Sequence, residues 1–273
     1  IDTDLEAPGL STFFLPSSDS ELIQKGTVDF LVEQGINPTG LYNMSDYILP
    51  LTDSNYWKEA QGNLYLVPSG KLDKDYLLKL ARIDSQELVE GRLKDCFEKL
   101  LNACVAELAS SGGIDYILLD SRAGFHDMAG IITAQLPHGV VLFGKDSVQS
   151  WFGIEEALHT IAESQSDTPF VIMVDSNCGQ NGIIEPDEKD HFLLKSYEVF
   201  CAQYYSAPQP GLKAFDAHNP VYIPYDPLLS GDISLYDSAR CELFLTKLAT
   251  APYMELTQRV MQSFDDLTTQ GGV

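Results

Sequence analysis

Carboxylates stand at the ends of short apolar segments at several places in this 273-residue sequence. Asp2 and Asp4 follow the apolar Ile1, and the segment DYILLD ends in Asp120. In an open α/β sheet, ligands bind outside the carboxyl ends of the strands, so these carboxylates are candidates for a ligand site. The short loop from Asp120 to Gly124 suits a carboxylate that faces Mg²⁺ beside a phosphate. Taken alone, DYILLD has a plainer explanation, because any buried strand can end in Asp at a helix N-terminus.

Two of these segments together resemble one protein family. IDTDLEAPG at 1–9 and DYILLDSRAG at 115–124 resemble the deviant-Walker ATPases of the MinD/ParA class. They are most similar to a bacterial branch with DLDLEAPGLS and DYILIDSRTGI segments. The likeness continues in chain order at residues 130–143, 150–154 and 221–226. The resemblance implies a P-loop NTPase-like α/β fold, with a mostly parallel sheet flanked by helices, and magnesium-dependent hydrolysis of ATP.

The resemblance also implies a role for each carboxylate. Asp4, with Asp2 beside it, would lie in the first switch and position the attacking water or a magnesium-bound water. Asp120 would be the Walker B carboxylate, which holds Mg²⁺ through water. Asp2, Asp4 and Asp120 are therefore the candidate catalytic residues. Asp4 and Asp120 are also the candidate metal-binding residues.

Four further residues are candidates for contacts with the nucleotide. By the same resemblance, Gly124 would lie beside the γ-phosphate in the second switch, and Pro224 and Asp226 would border the adenine. Arg122 falls within the second switch, where a guanidinium can pair with a phosphate or a carboxylate. A structural ion pair with a neighbouring acid is an equally good interpretation of Arg122.

The function implied by the resemblance is that of a switch. In this family ATP drives the formation of a homodimer that acts on a protein partner, and hydrolysis is slow. The related branch occurs in multidomain signalling or defence proteins of bacteria. The alternative is a degenerate, non-hydrolysing interaction module that keeps the same fold.

One part of the family pattern is absent from this sequence. The family has a glycine-rich, lysine-bearing P-loop, with a strand before it and a helix after it. We therefore expect an N-terminally incomplete ATPase domain, and we expect no binding of Mg-ATP by the chain as given. The segment GVVLFGK at 139–145 has the spacing of a P-loop. However, its four apolar residues are typical of a buried strand, and Asp146 stands where a hydroxyl belongs.

The polar turn at 175–188 has some features of a calcium-binding loop. If Gly182 takes the sixth position of an EF-hand, Glu188 takes the twelfth. Asn177 and Gly179 then occupy the first and third positions, so this sequence has no acidic side chain at either of these ligand positions. A polar turn between a strand and a helix is the simpler interpretation.

Apolar segments alternate with helical patterns along the chain, which is typical of a parallel sheet covered on both faces. We predict strands at Ile1 and at 63–67, 115–119, 140–143, 170–174 and 221–223. We predict helices at 74–82, 84–110, 127–135, 148–164, 186–205 and 238–264. The fully apolar segments VVLF and VIMV are expected to be central strands. Residues 10–60 are less regular and are interpreted as a lobe over the sheet edge, within a single domain over 1–273.

Composition narrows the range of partners. The net charge is −23, and the 17 Lys and Arg residues form no cluster, which disfavours direct binding to nucleic acid or anionic membranes. The five cysteines are widely spaced without a C-x-x-C pair, which argues against disulfides or a zinc site and favours the cytoplasm. No apolar segment approaches the roughly 18 residues needed to cross a membrane.

Overall fold

The computed structural model describes residues 1–51, 62–83, 92–121, 130–164, 168–179, 183–207, 216–229 and 234–271. The chain divides into two compact units. The first unit comprises Ile1–Ile132 with Ile233–Glu242, and the second comprises Thr133–Asp232 with Leu243–Val273. The expectation of a single domain over 1–273 stays a prediction.

The first unit combines helices with short strands. Its α-helices include α1 (Leu10–Phe14), α2 (Thr27–Ile36), α3 (Tyr76–Ile83) and α4 (Arg92–Leu108). Turns of 3₁₀ helix occur at Ser17–Leu22, Met44–Asp46 and Ala109–Ser111. Strands β1 (Leu49–Pro50) and β2 (Tyr65–Leu66) form an antiparallel pair. Helix α3 confirms the helix predicted at 74–82, and α4 confirms the described part of the helix predicted at 84–110.

Helix α2 lies in the core of the first unit, where the sequence predicted only an irregular lobe over 10–60. Its Val28, Phe30 and Leu31 are almost completely buried, and the helix packs against α3 and α4. Polar Thr27 and Gln34 are buried as well. Because the helix is covered on most sides, its sequence lacks the clear apolar stripe that marks a surface helix.

The strands predicted at Ile1 and at 115–119 are present only in part. Asp2 and Asp120 form an isolated parallel bridge, and the segment 116–119 carries no regular strand. Leu118 is 74% exposed. The apolar composition of this segment therefore predicted more pairing than the structure contains.

A parallel sheet forms the centre of the second unit. Its strands are β3 (Gly139–Gly144), β4 (Phe170–Cys178) and β5 (Val221–Pro224), in the order β3-β4-β5. The accompanying α-helices are α5 (Val148–Ala162), α6 (Pro186–Gln203) and α8 (Ala251–Gly271). Helix α7 (Ser238–Leu248) begins in the part of the chain assigned to the first unit and continues into the second. Short helical turns occur at Ile131–Gln135 and Pro227–Leu229.

Alternate residues of β4 serve two separate cores, as the two-residue period of a strand requires. Val171 and Met173 pack in a cluster with apolar side chains of α5 and α6. Ile172 and Val174 pack on the other face, in a cluster that includes partly buried side chains of α8. The sheet is thus flanked by helices on both faces, which confirms the mixed α/β class predicted from the alternating pattern.

Two expectations about the second unit are wrong in detail. VVLF lies in β3, at one edge of the described sheet, and Phe143 is 60% exposed, whereas the sequence predicted a central strand. The helix predicted at 238–264 is divided into α7 and α8. Pro252 lies in the first turn of α8, where its missing N–H is tolerated, but its ring would clash inside a continuous helix. Within the described ranges, no helix has the length and apolar composition needed to cross a membrane.

Candidate functional site

Two segments that are distant in sequence run side by side in the first unit. The Ile1 nitrogen donates to Leu118 O at 2.8 Å, and the Asp120 amide donates to Ile1 O at 2.9 Å. The Thr3 amide and hydroxyl both donate to Asp120 O, at 3.0 and 2.5 Å. These bonds make Asp2 and Asp120 direct neighbours across a parallel bridge. Since paired residues project to the same face of a ladder, the two carboxyl groups lie on one face.

Asp2 is completely buried. Its Oδ1 accepts the Asp4 amide at 3.2 Å, whereas its Oδ2 accepts no hydrogen bond within the described part of the chain. Burial, the largest cause, and the nearby Asp120 carboxylate raise the pKa of Asp2 to about 6, while the amides of Leu10 and Asp4 oppose this. A buried carboxyl oxygen without a donor is uncommon, so the side chain fits a proton or a cation beside it.

Asp120 and Asp4 are more accessible than Asp2. The Asp120 side chain is exposed, and Asp4 is half-buried. Partial burial raises the pKa of Asp120, and the Asp4 carboxylate adds to this effect, so the two groups lie close enough to interact. Asp4 Oδ1 accepts the Ala7 amide at 3.1 Å and closes a short turn. The structure therefore brings together all three carboxylates that the sequence predicted.

The chemistry of this set suits a cation that keeps most of its water. The Asp120 carboxylate raises the pKa of Asp2 and the Asp4 carboxylate raises the pKa of Asp120, so a cation beside them would offset this repulsion. Mg²⁺ prefers one or two carboxylates, together with water and phosphate oxygens, so Asp4 and Asp120 fit it. Among the described residues, no three His, Cys, Asp or Glu side chains are arranged to ligate one ion. The described residues therefore do not supply a complete set of protein ligands for a metal ion.

The start of helix α2 supports the site. Thr27 Oγ1 donates to Asp2 O at 2.8 Å, and the Thr27 amide donates to Pro68 O at 2.8 Å. Gly26, at the N-cap of α2, lies so close to the loop after β2 that a Cβ there would be 2.2 Å from Pro68 O. Sequence reasoning missed Thr27, and the available signals were the glycine before it and the Pro-Ser-Gly turn after β2.

The two residues predicted to border the adenine lie in the second unit. Pro224 is the last residue of β5, where it pairs with Cys178 of β4. Asp226 forms an ion pair with Lys247 at 2.6 Å, and its Oδ1 accepts the Leu228 amide at 2.9 Å. The hydrogen bond from Lys247 holds the pKa of Asp226 below its usual range. Asp226 thus has a structural role in closing the turn after β5.

The two remaining predicted contacts with the nucleotide are those assigned to Arg122 and Gly124. Arg122 and Gly124 both lie outside the described residues. Their roles beside the phosphate stay predictions.

The segment with P-loop spacing does not form a phosphate-binding loop. Residues 139–144 make up β3 and pair in register with β4 along their whole length. Asp146, just after β3, accepts a hydrogen bond from Trp151 Nε1 at 2.9 Å, and His191 Nδ1 lies 2.8 Å from its other oxygen. The rejection of GVVLFGK as a P-loop is confirmed.

The turn after β4 is held by one of the carboxylates that a calcium loop would use. Asn177, at an irregularity near the end of β4, and Gly179, directly after it, have positive φ values of 55° and 68°. Glu188 Oε1 accepts the Gly179 amide at 2.7 Å, so this carboxylate closes the turn. Residues 180–182 of the predicted loop lie outside the described residues. The described part of the turn supports the simpler interpretation of a polar connection.

Comparisons of this chain with protein-family models, curated proteins and solved structures found no match.

Proposed function

We propose that this chain is part of an ATP-binding switch of the MinD/ParA-like type, which hydrolyses ATP with Mg²⁺ and dimerises to regulate a protein partner. The observation that carries the proposal is the pairing of Asp2 with Asp120. The resemblance requires its two acidic motifs to lie at neighbouring strand ends, although they are far apart in sequence. Their pairing satisfies this requirement.

The environments of the three carboxylates fit different tasks. Asp2 is buried and has an unpartnered oxygen, whereas Asp120 is exposed and interacts with Asp4. Asp120 and Asp4 would hold Mg²⁺, which, when bound, supplies positive charge against the phosphate oxygens. Asp4, half-buried in a turn closed by its own side chain, would orient the attacking water.

A degenerate interaction module of the same fold is the second candidate. It is favoured by the lack of any phosphate-binding loop among the described residues, since 139–144 form a paired strand. Such a module would keep the paired strands and lose the need for the carboxylates. The two candidate functions therefore differ in whether Asp120 affects the rate of ATP hydrolysis.

The test begins with the coding sequence upstream of Ile1 and continues with the full-length protein. We expect that sequence to encode a strand, a glycine-rich loop with lysine, and a helix. The full-length protein should hydrolyse ATP in the presence of Mg²⁺. Asp120→Asn should reduce the hydrolysis rate by about 10–100-fold, as expected for a group that holds the ion through water.

Asp115→Asn is the matched control, since it removes an exposed carboxylate from the start of the same segment. It should leave the rate unchanged. Titration calorimetry on the chain as given should show no heat of Mg-ATP binding. A start codon directly before Ile1, or equal rates in wild type and Asp120→Asn, would favour the interaction module instead.

A further inference from the structure

A hydroxyl from a distant part of the chain reaches the loop that carries Asp4. The Tyr76 hydroxyl donates to Leu5 O at 2.8 Å, and these residues are 71 positions apart. Both residues are at least 95% buried, with exposures of 5% for Tyr76 and 1% for Leu5. The nearby amide bonds are local, because the Leu5 amide donates to Thr3 O and the Ala7 amide donates to Asp4 Oδ1. Tyr76 therefore connects a locally bonded loop to the helical core.

Tyr76 is itself held in place by the packing of two helices. It is the first residue of α3, and Lys79 in the next turn forms an ion pair with Asp29 of α2 at 2.7 Å. Asp29 Oδ2 accepts the Gly26 amide at 3.0 Å, which fixes the start of α2. The same pair of helices thus places both the Tyr76 hydroxyl and the N-terminal residues of α2.

Along the chain, Asp4 lies between two carbonyls that these helices contact. Thr27 of α2 donates to Asp2 O, and Tyr76 of α3 donates to Leu5 O. Glu6, directly after Leu5, begins the exposed part of the loop. Loss of either contact would free one end of this short segment, while its covalent connection to the rest of the strand would remain.

The chemistry of Tyr76 suits a permanent donor. Burial raises the pKa of Tyr76 to about 12, so the phenol keeps its proton at neutral pH. Removal of the hydroxyl would leave the buried Leu5 carbonyl without this donor, which carries a desolvation cost. Phenylalanine keeps the ring and its packing, so Tyr76→Phe removes the hydroxyl's bond to Leu5 O and its interaction with the Ser69 side chain.

We propose that Tyr76 is a positioning residue of the candidate site, whose hydroxyl holds the 4–5 segment and so keeps the Asp4 carboxylate beside Asp120. The predicted effect of Tyr76 on catalysis rests on the proposed ATPase function. The predicted effect of Tyr76 on the order of the loop is independent of that function, so the two effects are measured separately.

The first measurement is hydrogen exchange in Tyr76→Phe, with Tyr42→Phe as the matched control. Tyr42 also donates its hydroxyl to a backbone carbonyl of the first unit, Asn37 O, at 2.6 Å. The Leu5 and Ala7 amides should exchange about ten-fold faster in Tyr76→Phe and at the wild-type rate in Tyr42→Phe. Protection of helix α4 should be the same in all three proteins.

The second measurement is ATP turnover by the full-length protein. Because Asp4 would orient the attacking water and help to hold Mg²⁺, Tyr76→Phe should lower kcat at saturating Mg²⁺ and raise the Mg²⁺ concentration that gives half of the maximal rate. A decrease of about ten-fold in kcat is expected, with no decrease in Tyr42→Phe. A general loss of stability would instead reduce the amount of active protein in proportion to the unfolded fraction.

Each possible outcome supports or overturns the positioning role of Tyr76. Unchanged exchange at Leu5 and Ala7, or equal acceleration in Tyr42→Phe, would overturn it. Faster exchange with an unchanged kcat would also overturn it, because the loop would then be released without any effect on Asp4. If the wild-type protein shows no ATP turnover, the proposed function fails, and the exchange comparison alone decides whether Tyr76 holds the loop.

Discussion

Asp2 and Asp120 occupy paired positions across a parallel bridge, one completely buried and the other exposed. The Asp120 carboxylate is one of the causes that raise the pKa of Asp2, so the two groups destabilise each other when both are ionised. We predict that Asp2→Asn and Asp120→Asn are not additive. At pH 8 their coupling free energy should be about 0.5 kcal/mol, a value kept small by the solvent around Asp120. Urea unfolding of the wild type, both single variants and the double variant measures it.

The control for this cycle replaces Asp120 by Asp115, an exposed carboxylate at the start of the same segment. The coupling free energy of Asp2→Asn and Asp115→Asn should be close to zero, because Asp115 is not among the charges that raise the pKa of Asp2. An equal coupling in both cycles would mean that the bridge between Asp2 and Asp120 has no special electrostatic role.

The meeting of these carboxylates was predicted from a resemblance, in which two acidic segments that each follow an apolar stretch lie side by side. The sequence itself predicted β3, β4 and β5, since continuous apolar segments mark strands covered on both faces. It could not give the position of a strand within the sheet. VVLF is as apolar as a central strand, yet β3 lies at an edge of the described sheet.

Helix α2 and the contacts of Thr27 and Tyr76 were missed for a physical reason. The N-cap of α2 is Gly26, which has no side chain to mark the start of a helix, and the helix is buried on most sides. Thr27 and Tyr76 bond to carbonyls that are 25 and 71 residues away in sequence. Such contacts depend on tertiary packing, and no local spacing rule encodes them.

Asp175 of β4 should make the second unit less stable as the pH rises. Burial, the largest cause, and the carboxylates of Glu188 and Asp146 raise the pKa of Asp175 to about 7, while a hydrogen bond with Cys178 lowers it. The folded state thus holds this proton more tightly than the unfolded state, so the contribution is present at acidic pH and is lost as the pH rises through 7. Urea unfolding measures this effect as the difference between the free energy of unfolding of Asp175→Asn and that of the wild type. This difference should shift in favour of the variant by on the order of 2 kcal/mol from pH 5 to pH 8.

Asp190→Asn, which changes an exposed carboxylate of α6, serves as the control for this experiment. Its difference from wild type should be nearly the same at both pH values. If Asp175→Asn behaved in the same way, the buried carboxyl group would not hold its proton at neutral pH.

His218 should have the opposite effect, by making the second unit less stable in acid. It is completely buried, its Nδ1 lies 2.7 Å from the Tyr205 hydroxyl, and its Nε2 has no partner within the described residues. Burial lowers the pKa of His218, although Asp216 opposes this effect. The unfolded state therefore takes up a proton first, and stability falls as the pH drops below about 6.5. In His218→Gln the free energy of unfolding should fall less in acid. The difference should be about 1 kcal/mol for each pH unit between the pKa of this histidine in the unfolded state and its lower pKa in the folded state.

The control is His159→Gln, at an exposed position of α5, which should show the same loss of stability in acid as the wild type. The measurement is the free energy of unfolding between pH 5 and pH 7. An acid sensitivity of His218→Gln equal to that of wild type would show that another group causes the loss.

Gly26 and Gly153 should respond in opposite directions to the same substitution, alanine. A Cβ at Gly26 would lie 2.2 Å from Pro68 O and 2.5 Å from the Gly70 nitrogen, so α2 would have to move away from the loop that it holds. A Cβ at Gly153 in α5 would meet nothing within 4 Å. Gly26→Ala should therefore destabilise the protein by about 1–3 kcal/mol, through overpacking. Gly153→Ala should stabilise it by about 0.5–1 kcal/mol, because alanine favours the helix interior. Urea midpoints of both variants test this, and a tolerated Gly26→Ala would refute the close contact at Pro68.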